Sequence, residues 1–97
     1  MSERRRFVAH DAVTVSNAAI QLVAENPSRV GLILQETGGE PVRITNDSSD
    51  VSTTKGFQLD ASTDVQFQGT LCPSDPLWAI RQGGSDGTVV VTEIIYN

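Results

Sequence analysis

His10 and Cys72 are the only histidine and the only cysteine in the chain, and they lie about sixty residues apart. A histidine–thiol pair would have to be assembled by the fold, because nothing around either residue supports it locally. A serine nucleophile would also need a histidine, and His10 borders a segment too poorly patterned to hold a base in place. Both residues are therefore expected to be structural or surface groups. Asp11, Asp47 and Asp50 invite a calcium reading. However, Asp47-Ser48-Ser49-Asp50 lacks the alternating acidic spacing and the late glutamate of a calcium-binding loop, and one His with one Cys is too little for zinc. Gly83-Gly84-Ser85-Asp86-Gly87 has neither the lysine nor the following helix of a phosphate cradle, and reads as a glycine hairpin loop. Five aromatics (Phe7, Phe57, Phe67, Trp78, Tyr96) are few for a sugar platform, and most fit core positions. No catalytic residue, metal ligand or cofactor is expected.

The elements that would position such residues are strands. Val13 and Val15 alternate with Thr14 and Ser16, the mark of a half-buried strand. Ile20, Leu22 and Ala24 share one face of the next segment; good helix formers make a helix over Ala18–Ala24 an alternative, but seven residues are short for one and Pro27 stops it early, so a strand is preferred. Asn26-Pro27-Ser28 is a turn. Val30, Leu32 and Leu34 then repeat at a spacing of two, as do Val42 and Ile44 beyond Gly38-Gly39, and this stretch reads as a central hairpin. Asn46 to Gly56 lacks an apolar face and is expected to be an exposed loop. Phe57 and Leu59, then Val65 and Phe67, alternate inward. A proline-stiffened loop over Gly69–Pro76 precedes Leu77–Arg81, where Trp78 and Ile80 are expected to face the core. Thr88–Tyr96 is the strongest strand signal. It is apolar on both faces and interrupted only by Glu93, so it should be covered on both sides.

The pattern predicts one all-β domain, an antiparallel β-sandwich or jelly-roll-like fold of about eight short strands over residues 10–97. An extended N-terminal arm is expected over residues 1–9. At 97 residues the chain has room for one domain, and a thin core of this kind is often helped by oligomerisation. A lone cysteine excludes an internal disulfide framework. No apolar run approaches the length of a membrane span, and Met1–Arg6 does not lead into an apolar signal segment. The net charge is −5, and from Phe7 onward four basic residues face eleven acidic ones. An acidic body argues against nucleic acid as a partner. The arginines at 4, 5 and 6 suit an acidic protein surface.

The order Val13-Thr14-Val15-Ser16, Asn26-Pro27-Ser28-Arg29 with its apolar strand, Pro41-Val42-Arg43-Ile44, Gly56-Phe57-Gln58-Leu59 and Leu77-Trp78-Ala79-Ile80 resembles the small β-sandwich capsid decoration, or cement, proteins of tailed bacteriophages. The similarity covers about residues 11–97. It implies a non-enzymatic virion protein, made in the host cytoplasm and bound as a homotrimer to the major capsid protein on the outer face of the head. Under that likeness Arg4, Arg5, Arg6 and Phe7 are the candidate capsid contacts, and Val89, Val91 and Ile95 the candidate subunit contacts. Related modules occur in fibres and tails. There the loops Asn46–Gly56 and Gly69–Asp75 would instead bind a host receptor or glycan.

Overall fold

The computed structural model describes residues 4–47 and 55–96. Among them are nine strands: β1 (Arg5–Ala9), β2 (Val13–Val15), β3 (Ile20–Val23), β4 (Arg29–Glu36), β5 (Val42–Thr45), β6 (Phe57–Leu59), β7 (Asp64–Gln68), β8 (Leu77–Arg81) and β9 (Gly87–Tyr96), with a short 3-10 turn over Gly69–Leu71. Every pairing is antiparallel. One sheet runs β1-β9-β4-β7, and the other β3-β8-β5-β6. The strands β1 and β2 share one edge of β9, with β1 against Thr92–Tyr96 and β2 against Gly87–Val89. Counting from β2, the orders 2-9-4-7 and 3-8-5-6 are those of a double Greek key, the jelly roll. The all-β sandwich expected from strand spacing is what the chain forms.

The central hairpin is not. β4 pairs with β7 and β9, whereas β5 pairs with β6 and β8 in the opposite sheet. Gly38-Gly39 therefore carries the chain from one layer to the other, with Gly39 at φ +80°, a conformation that a side chain would strain. The Gly83–Gly87 segment does the same between β8 and β9. Alternation reports which face is apolar but not which strand lies alongside, so an arch and a hairpin look alike in sequence.

Two phases also differ from expectation. In β8, Leu77 and Ala79 are buried, while Trp78 and Ile80 lie half-buried on the outside. All four are apolar, so the pairing decides. Ala79 stands opposite Ile44, and both are fully buried. In β4, Leu32 and Leu34 face the core as expected, but Val30 does not. A β-bulge between Arg29 and Gly31 inserts one residue there, which turns Arg29 inward instead. A second irregularity, between Gln21 and Val23, buries Leu22 and Val23 and leaves Ile20 exposed. The segment expected as an arm is mostly strand: Arg5–Ala9 pairs residue for residue with β9. Phe57 and Phe67 meet edge to face across the two sheets, with ring centres 5.8 Å apart, and pack against the core.

Candidate functional site

The groups able to do chemistry gather at two buried carboxylates, neither of them among the candidates drawn from the sequence. The first is Glu93. Its phase matches Val89, Val91 and Ile95, so β9 points it inward. The β4 bulge points Arg29 at it, and Arg29 Nε donates to Glu93 Oε2 at 2.7 Å. His10 Nε2 donates to Oε1 at 2.7 Å, and Asn26 Nδ2 to Oε2 at 3.2 Å. The remaining guanidinium nitrogens are used as well. Nη1 donates to the carbonyls of Pro73 (2.7 Å) and Asp75 (3.0 Å), and Nη2 to that of Ala24 (2.7 Å). The Arg29 side chain is fully buried. Burial raises the pKa of Glu93, but the hydrogen bonds from Arg29, His10 and Asn26 and the Arg29 charge outweigh it, and the net shift is downward. One ion pair thus ties β4, β9, the β1–β2 junction and the Gly69–Pro76 loop together.

The second is Glu36, two residues beyond Leu34 and on the same inward face. Oε1 accepts the backbone N–H groups of Gly39 (2.9 Å), Glu40 (3.2 Å) and Ser62 (2.9 Å). Oε2 accepts those of Gly38 (2.9 Å) and Thr88 (3.0 Å). This carboxylate closes the β4–β5 arch, the β6–β7 turn and the start of β9 onto one point. Burial again raises its pKa, and the backbone donors override this to leave it below the usual range.

Glu36 has its acceptor positions filled by five backbone donors, and Glu93 accepts one bond on Oε1 and two on Oε2; with their pKa values lowered, both stay ionised and hold loops in place. Cys72, half-buried, has its thiol pKa pushed up first by burial; Arg29 pulls it down and Glu93 raises it. It stays protonated at neutral pH and is a poor nucleophile. The His10 ring is engaged by Glu93. Among the described residues, no three His, Cys, Asp or Glu side chains come together as a metal site.

The surface carries more variety. Arg4, Arg5 and Arg6 are exposed, and Phe7 is 71% exposed on the edge strand; the Arg5 guanidinium lies 5.5 Å from the centre of the Tyr96 ring. Val89 and Val91 are fully buried and Ile95 nearly so. These three candidate subunit contacts are core residues, and the residues β9 offers outward are Val90, Thr92 and Ile94. The loops at Asn46–Gly56 and Gly69–Asp75 do approach each other, with Asn46 Nδ2 donating to Asp75 Oδ2 at 2.8 Å; residues 48–54 of the first loop lie outside the described residues. A groove of ≈ 620 Å³ opens between them, floored by Ile44, Phe57, Phe67 and Leu77. No helix among the described residues is long and apolar enough to cross a membrane.

Glu36 and Glu93 were visible in the sequence as charged residues at inward phase, and that is the signal by which both could have been found. No family model matches the chain, and no curated protein does. Among solved structures, a chain from Bacillus endospore appendages, which form a novel family of disulfide-linked pili, is similar with a TM-score of 0.56 at 19% identity, over 99% of this chain and 88% of that one. At that identity the likeness is one of fold.

Proposed function

We propose that this protein is a non-enzymatic structural subunit that works through its outer surfaces, binding copies of itself and a larger protein shell in the manner of a capsid decoration protein. The observation that carries the reading is the β1 edge. Three exposed arginines and a bare phenylalanine sit on an otherwise acidic body. Cations on an exposed strand edge suit an acidic protein lattice, and repetition over linked copies turns shallow contacts into firm attachment. The two hydrogen-bonded carboxylates support the same reading, because the polar groups inside the sandwich hold the frame. The pilus-building neighbour is a structural protein, which agrees in kind. Its disulfide linkage is not carried over to Cys72, whose thiol is half-buried and hard to ionise.

The test is co-sedimentation of the purified chain with phage capsid shells stripped of their decoration, beside light scattering of the chain alone. Self-association and shell binding that weakens with salt, and weakens further in an Arg4→Ala/Arg5→Ala/Arg6→Ala variant, are expected. A strict monomer that leaves shells bare would overturn the reading. The groove between the two loops favours a second reading, a fibre or tail module that binds a receptor or glycan. Glycan-array binding abolished by Lys55→Ala, an exposed position on the groove wall, would support that reading instead.

A further inference from the structure

The outer face of the β1-β9-β4-β7 sheet has an uncommon relief. Residues in register across it form a row: Phe7 opposite Ile94, Ile94 opposite Gly31, Gly31 opposite Gln68. Phe7 is the knob, 71% exposed. Two strands away Gly31 has no side chain, and Ile94 leans over it so closely that a Cβ there would lie 3.0 Å from Ile94 Cδ1. A hollow of ≈ 480 Å³ opens beside this glycine, walled by Arg5, Val30, Gln68 and Leu71. Leu71 on its rim is 80% exposed. The next row, Ala9, Thr92, Ile33 and Gln66, is uncharged throughout. So is Val90 beside Gln35, and charge returns only at Arg5 and at Asp64, on opposite strands of the sheet. In a chain with 19 charged residues, a face this free of charge has the composition of an interface core.

We propose that this face binds a second copy of the same chain as a two-fold pair, with Phe7 of each copy seated in the Gly31 hollow of the other. Knob and hollow lie about 10 Å apart, two strand spacings. A two-fold axis parallel to the strands and passing over β9 therefore places each knob on the opposite hollow. Such a contact is isologous, so one surface supplies both halves. The strands of this sheet hold 31 residues, which at about 4.8 Å by 3.3 Å each give a footprint on the order of 500 Å² per copy before side-chain relief, about 1,000 Å² for the pair and at the low end of specific interfaces. The pairing covers the outer side of β9 and leaves Arg4 and Arg6 at the rim. It deepens the structural-subunit reading and rests on it only for its purpose.

The experiment is sedimentation of the full chain over a wide concentration range, with Phe7→Glu and Leu71→Glu in parallel. Both sites are exposed, so both variants should keep their circular dichroism and melting temperature. A mass of two copies is expected, with dissociation constants raised at least about tenfold by either charge. In a Cys72→Ser background, a bismaleimide with a spacer of about 10 Å, the face-to-face sheet distance, should join Ala9→Cys to Gln66→Cys chains, which keep the knob, faster than either variant to itself. A monomer at every concentration, a mass of three, or a pair indifferent to both charges overturns the proposal. Shell binding by such a monomer would leave the structural-subunit reading standing.

Discussion

Glu36→Gln isolates the contribution of the carboxylate clamp because it keeps the side chain's size. The native group accepts five backbone N–H bonds, three on Oε1 and two on Oε2. An amide offers one carbonyl oxygen. Its NH2 would face two or more backbone donors, so those donors lose their acceptor and meet another donor. Hydrogen bonds to a charged group contribute about 1.5–3 kcal/mol each. They are not additive here, and the exposed Gly38 and Gly39 can turn to water. A net loss of about 3 kcal/mol is the expected outcome, out of roughly 5–15 kcal/mol for a domain of this length. With a urea slope of about 1.2 kcal/mol/M, the midpoint falls by about 2.5 M, read by circular dichroism. Glu25→Gln, on an exposed residue, is the control and should stay within about 0.5 kcal/mol. The acid limb gives a second readout. The folded-state pKa of Glu36 lies below its ordinary value of 4.5, so the unfolded chain takes up the proton first. The clamp's contribution is full above pH 4.5 and fades as the pH falls through the folded-state value. Glu93 behaves likewise, so the variant should keep an acid limb but a shallower one. A Glu36→Gln midpoint within about 0.5 kcal/mol of wild type, with the same acid profile, would refute the reasoning.

The other expectations concern the rest of the frame. Arg29→Met strands the buried Glu93 carboxylate and should cost about 3–5 kcal/mol, while Arg29→Met/Glu93→Met should cost less than the single change; urea titration of the three proteins decides it. Leu34→Ala should cost about 2–5 kcal/mol and Trp78→Ala only about 1 kcal/mol, because the indole lies on the outer side of β8; equal losses would place Trp78 in the core. Cys72 should react with a maleimide more slowly than a free thiol at pH 8, and more slowly still in Arg29→Met, since Arg29 lowers its pKa; stopped-flow rates at matched pH check both.

Strand existence was legible because β-branched and aromatic residues alternate with polar ones between glycine and proline breaks, and β4, β6, β7 and β9 lie where that pattern put them. Partnership was not. The Gly38-Gly39 turn has hairpin chemistry, yet the strands it joins bury their apolar faces against each other across two layers. Trp78 lies outward where alternation points it inward, because Leu77-Trp78-Ala79-Ile80 is apolar on both faces and only pairing with Ile44 selects the inward set. Val30 lies outward through a bulge that alternation cannot announce. The Asn26-Pro27-Ser28-Arg29 stretch stood out as a turn. Its second use is to aim Arg29 at Glu93 from 64 residues away, and no local pattern encodes that contact. Phe7 is expected from sequence on an unpaired arm, and its setting in the structure is a strand edge opposite Ile94.

The most direct measurement is cryo-electron microscopy of the particle or filament in which the protein occurs. Many copies arrayed on a lattice, touching it and one another through the β1 edge and the outer sheet faces, with the Glu36 and Glu93 clusters closed inside each copy, is the predicted result. A solitary copy holding a small reactant against His10 or Cys72, with its outer faces bare, would contradict it.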